Sequence, residues 1–180
     1  MKRYHRILLL LAAVLVACPA MYGQFAATGT TTLSVTVGAE AALQVTTGTT
    51  TLAAAGTIFN PYTGTTNIVY KIRTTKSTGT GTITLKVTSD FSPAGGPSVA
   101  TPPTAGDALT YQCTVAAPGT GCSGSITSST TAATSVATFG AGASSANAGN
   151  AASTAWTLTN DPVYQTGAYS GVVTYTISAT

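Results

Sequence analysis

The 180-residue chain has 7 Lys and Arg, 4 Asp and Glu, one His and a formal charge of +3. Charged residues make up 6% of it, about a quarter of the usual proportion. That composition excludes a charge-rich disordered tail and a polyelectrolyte binder, so the polar surface must come from hydroxyls and amides. The 44% hydrophobic share overstates the core, because much of it is alanine.

At the start, Lys2, Arg3 and Arg6 precede the apolar run from Ile7 to Val16, the layout of a secretory signal peptide assigned to residues 1–23. The run falls short of the roughly 20 residues a membrane-crossing helix needs. Small residues at Cys18-Pro19-Ala20 suit a general signal peptidase, and a cut after Gly23 is a near alternative. Leu15-Val16-Ala17-Cys18 resembles a bacterial lipobox, which would make Cys18 a lipidated N-terminus. Removing the segment leaves Lys71, Arg73, Lys76 and Lys86 against Glu40, Asp90, Asp107 and Asp161, a formally neutral domain over residues 24–180. His5 leaves as well, so no imidazole base remains for a Ser-His-Asp or Cys-His arrangement, and no enzyme is expected.

Roughly 155 residues suffice for one domain with a buried core. From Thr30 the apolar residues recur with period two, the mark of strands with one buried face. Thr30 to Val37 sets Leu33, Val35 and Val37 on one side, and Leu43 and Val45 repeat the pattern. Thr66 to Thr74 sets Ile68, Tyr70 and Ile72 together; Thr80 to Ser89 does so for Ile83, Leu85 and Val87. The intervening Thr75-Lys76-Ser77-Thr78-Gly79 has hairpin length, so these two strands are expected to pair. That pairing would gather Lys71, Arg73, Lys76 and Lys86 into one cationic patch, read as a solvated sheet face. Neutral total charge argues against nucleic acid as a partner.

Further strands are predicted at Ala108 to Val115, Thr134 to Phe139, Thr154 to Thr159 and Tyr169 to Ala179. Ser92 to Asp107 and Gly140 to Ser153, rich in Gly, Pro, Ala and Ser, are predicted loops. Thr-Gly-Thr-Thr-Thr-Leu occurs at Thr28 to Leu33 and at Thr47 to Leu52, hinting at two equivalent strand starts. No helical stripe follows the signal peptide, and β-branched threonine and valine favour pleated surfaces. The expected fold is all-β, an antiparallel Ig-like or Greek-key sandwich of about eight strands.

Cys113 and Cys122 form an even pair across a turn-rich loop, and in an oxidising compartment they are expected to make a disulfide. No catalytic, cofactor-binding or metal site is assigned. Asp107 and Asp161 with loop carbonyls offer a weak calcium reading against ordinary turn roles. Trp156, Leu158, Tyr164, Tyr169 and Tyr175 cluster in sequence; core packing is their expected fate, and stacking on a glycan is the alternative.

The closing stretch Gly167-Ala168-Tyr169-Ser170-Gly171-Val172-Val173-Thr174-Tyr175-Thr176-Ile177 resembles the last strand of spore coat protein U-like domains and chaperone-usher pilin subunits. Thr31-Thr32-Leu33-Ser34-Val35-Thr36-Val37 is similar to the N-terminal extension of that family. The cysteine that such domains often carry after the first strand is missing here. The resemblance implies an incomplete Ig-like sandwich completed by the extension of a neighbouring subunit, with Leu33, Val35 and Val37 as donor residues. The expectation is an exported, non-catalytic structural or adhesive bacterial surface protein that self-associates or joins another surface subunit. The alternative is a monomeric module, periplasmic or lipid-anchored through Cys18, that binds glycan or protein.

Overall fold

The computed structural model describes residues 28–54, 56 and 58–180. The proposed signal peptide and Cys18 lie outside them. The chain divides into two units, Met1–Thr36 and Val37–Thr180. In the first, residues 28–36 carry no strand, and Leu33 and Val35 are 92% and 86% exposed. The second holds every strand found among the described residues. They are β1 (Glu40–Val45), β2 (Ala53–Ala54), β3 (Tyr62–Arg73), β4 (Gly81–Ser92), β5 (Leu109–Val115), β6 (Thr120–Gly121), β7 (Ile126–Thr127), β8 (Thr134–Phe139), β9 (Asn150–Leu158) and β10 (Ser170–Ala179). No helix occurs among the described residues.

These strands make two antiparallel sheets consistent with a β-sandwich. One runs β1-β3-β9-β5-β7, with β2 also on β3, and the other runs β10-β4-β8-β6. From β3 onward each successive strand lies in the other sheet. The alternation in β3 and β4 does bury Ile68, Tyr70 and Ile72 and Ile83, Leu85 and Val87, as the sequence pattern demands. Yet β3 pairs with β1, β2 and β9 while β4 pairs with β10 and β8, so the expected hairpin between them does not form. Residues 74–80 instead carry the chain from one sheet across to the other, and the two apolar faces meet in the common core. Lys71 and Arg73 consequently face solvent from one sheet and Lys86 lies on the outer side of the other, so the expected cationic patch is split.

Two other readings also need correcting. Residues 28–39 form no strand although they alternate, because no strand among the described residues pairs with them. The second copy of the hexapeptide, Thr47 to Leu52, lies in the connection between β1 and β2, so the two copies are not equivalent strand starts.

The core is aromatic at its centre. Trp156 packs against Tyr111 with ring centroids 5.3 Å apart, and Tyr70 meets Phe139 edge-on at 5.1 Å. Each fully buried large side chain contributes about 1.5–3 kcal/mol by leaving water. Their polar atoms are satisfied. The Trp156 indole donates to Thr66 Oγ1 at 2.9 Å, Tyr111 donates to Thr134 Oγ1 at 2.8 Å, and Tyr70 donates to the Ala116 carbonyl. On the solvent face, threonine and serine hydroxyls pair across β4 and β10, Thr82 with Ser178 at 3.1 Å and Thr88 with Thr174 at 3.0 Å. This explains how a surface poor in charge remains hydrogen-bonded.

Candidate assembly edge

β1 and β10 end their respective sheets on the same side of the sandwich, with an outer edge that pairs with nothing among the described residues. Natural sandwiches blunt long edges with lysine, proline or short strands, because bare N–H and C=O groups recruit another chain. β10 runs ten residues, Ser-Gly-Val-Val-Thr-Tyr-Thr-Ile-Ser-Ala, with neither charge nor proline. A bulge between Ser170 and Val173 is its only irregularity against β4.

Beneath this edge the inward-facing side chains are only partly covered. Ile83 and Leu85 on β4 are buried, but their partners in register on β10, Ile177 and Tyr175, are only half-buried, as are Val173 and Ala179. Ala41 and Leu43 on β1 are half-buried in the same way. Tyr175 is held by a 2.6 Å hydrogen bond with Thr154, and burial raises its pKa against the opposing effect of its bonds to Thr154 and Thr66. The result is a strip of apolar side chains with one flank uncovered.

The sequence-nominated donor residues are as exposed as their period-two pattern is regular. Val37, at the entry to β1, is 61% exposed, and Leu33 and Val35 on the separate first unit are more so. Residues 28–38, fully extended, reach about 36 Å, close to the length of β10.

On the other side of the sandwich the ends are covalently tied. Cys113 in β5 is bonded to Cys122 just after β6, with Cα atoms 5.4 Å apart, so the disulfide links the two sheets. The terminal strands there, β6 and β7, are two residues each.

The carboxylates serve loops. Burial pushes the Asp90 carboxyl up, but bonds from Ser98 at 2.6 Å and from the Val99, Ala100 and Phe91 N–H groups outweigh it and hold its pKa below the ordinary value. Asp161 is likewise lowered, by a bond from Thr104 and by the Val163 N–H at 2.7 Å. Asp107 is buried and accepts the Tyr164 hydroxyl at 2.9 Å. Burial, together with that bond and the Asp107 charge, raises the Tyr164 pKa. Asp107 and Asp161 therefore do come together, as the calcium reading required, but no group of three or more metal-ligating acids, histidines or cysteines occurs among the described residues.

The C-terminal aromatics form no stacking platform. Trp156 is buried in the core, Tyr175 is half-buried beneath the edge, and Tyr169 turns back to donate to the Gln165 carbonyl at 2.7 Å. Sequence reasoning did not find the open edge itself, because half-burial along β10 depends on β1 standing across from it. Compared with known proteins, the chain matches no family model, and no curated protein or solved structure matches it.

Proposed function

We propose that this protein is an exported, non-catalytic structural subunit of a bacterial surface fibre, in which residues 28–38 of one copy add as a strand to the open edge of the next. The observation that carries the reading is the pairing of a long uncharged edge over a half-covered core with an exposed apolar segment of matching length in the same chain. Leu33, Val35 and Val37 then fill the strip beside Val173, Tyr175 and Ile177. Backbone hydrogen bonds supply affinity and the alternating side chains set the register.

The strand order supports a finer reading of the fold as an Ig-like sandwich lacking its last strand. β1-β3-β9-β5 follows the A-B-E-D order of such domains, and β4 beside β10 follows C beside F. The G position falls on the bare flank of β10. Tyr169, bonded four residues upstream at the start of β10, corresponds to the tyrosine that closes the corner before strand F. The resemblance of this strand to spore coat protein U-like and pilin subunits agrees with that order.

The test uses the mature chain. Leu33→Ser, Val35→Ser and Val37→Ser together are expected to convert linear multimers to monomers in light scattering and negative-stain microscopy while the melting temperature holds. Multimers that persist in the triple variant contradict the reading.

A further inference from the structure

The sandwich is electrically polar from end to end. β3 runs from Tyr62 to Arg73, twelve residues spanning about 36 Å, and the loops sort by charge onto its two ends. At the Tyr62 end lie Asp90, near the close of β4, Asp107, before β5, and Asp161, after β9. At the Arg73 end lie Lys71, Arg73 and, in the turn after β3, Lys76, with one acid, Glu40, paired to Arg73 at 3.1 Å. The ends are several Debye lengths apart at physiological salt, so they do not neutralise one another within a copy. Each can act on a neighbour, although the domain is formally neutral.

The acidic end also carries an apolar tip. Ile58 and Phe59, between β2 and β3, are 86% and 55% exposed, and Val163 is exposed in the loop after β9. Asn160 donates to the Asn60 carbonyl at 3.1 Å, which sets Phe59 and Asp161 one residue to either side of a common bond. Phe59 has φ of 58°, a left-handed conformation rare for a bulky residue. Glycine would serve the turn better, so the exposed ring is held there at a local cost. The basic end offers a complement, a groove of about 440 Å³ between β1, β3 and residues 144–147, walled by Lys71 and the Glu40–Arg73 pair and bordered by Ala42, Ser145 and Asn147, so that Lys71 is its uncompensated charge.

We propose that successive copies stack head to tail, with the Ile58–Phe59 tip of one seated in the basic-end groove of the next and Asp161 facing Lys71. Two different surfaces meet, so the contact does not close on itself and produces a line. The contact rests on the fibre reading and gives it a direction. Val37 and Gly38 sit at the basic end, where the Arg73 guanidinium donates to the Gly38 carbonyl at 2.7 Å. The donor segment therefore crosses the junction and enters the next copy from its acidic end, antiparallel to β10.

The test measures elongation of the mature full-length chain by light scattering in low and high salt. Lys71→Glu and Asp161→Asn are each expected to slow elongation about tenfold or more at low salt. High salt should slow the wild type toward the variants, and joining Lys71→Glu to Asp161→Lys should restore the rate. Phe59→Gly relieves the left-handed strain, so it should hold or raise the melting temperature while slowing elongation. A synthetic peptide of residues 28–38 should bind the Leu33→Ser, Val35→Ser, Val37→Ser chain equally well with or without the end substitutions. Elongation unchanged by Lys71→Glu and Phe59→Gly and insensitive to salt overturns the end contact, whatever the peptide does. Failure of the peptide to bind overturns strand addition instead.

Discussion

The Cys113–Cys122 bond ties β5 to the segment after β6, whereas on the opposite side the outer flank of ten-residue β10 pairs with no strand among the described residues. Both sides are made of the same Thr, Val and Ala-rich strands, so composition does not account for the contrast. The tied side ends in two-residue strands that offer little backbone to a stranger, and the open side ends in a strand of ten residues. One side is finished within the chain. On the other, no described strand pairs with the outer flank of β10.

The largest effect should come from the shared centre, which serves both sides. Trp156→Ala removes the indole packed on Tyr111 and its bond to Thr66, and is expected to cost about 3–5 kcal/mol in denaturant unfolding. A sharper comparison comes from Ile83 and Ile177, the same residue type paired directly across β4 and β10, one fully buried and the other half-buried. Ile83→Ala should cost about 2–5 kcal/mol and Ile177→Ala roughly half as much in the monomer. Adding the residue 28–38 peptide should raise the cost of Ile177→Ala toward that of Ile83→Ala. Equal costs without peptide would mean that the edge is already closed.

On the tied side, paired Cys113→Ser and Cys122→Ser substitutions are expected to lower stability by about 2–3 kcal/mol, as loop-closure entropy gives for so short a loop, without altering multimer formation. Asp90 sharpens the picture with pH. Its pKa is depressed in the folded state, so its contribution is present above the unfolded carboxylate value of about 4 and is lost as pH falls through the lower folded value. Thermal melts from pH 6 to pH 2 should show that loss, and Asp90→Asn should flatten it. Smallest of all, Tyr175→Phe removes the hydroxyl bonded to Thr154 and Thr66 and should cost about 1–2 kcal/mol.

Much of the fold was legible in the alternation of apolar residues. Thr134 to Phe139 is β8 as read, and β5 and β10 begin within one residue of expectation. The pairing of β3 with β4 was misread for a physical reason: alternation marks a buried face but does not say whether two such faces lie side by side or opposite each other. Tyr70 and Ile72 face Ile83 and Leu85 through the core, and a connection of hairpin length serves that arrangement too. The start of β9 at Asn150 was hidden by Ala151 and Ala152, whose small side chains leave no amphipathic signal. β2, β6 and β7, two residues each, carry no period at all. Leu33, Val35 and Val37 gave the clearest pattern and yet form no strand, because alternation alone does not supply the hydrogen-bonded neighbour that a strand requires.

The measurement that bears most directly on the open edge is amide hydrogen exchange in β10 of the Leu33→Ser, Val35→Ser, Val37→Ser chain, with and without the peptide of residues 28–38. Those N–H groups of Ser170 to Ala179 that point away from β4 should exchange fast in the free chain and become strongly protected with peptide bound, while β8 and β9 stay as they were. Protection already complete without peptide, or unchanged by it, would contradict the account.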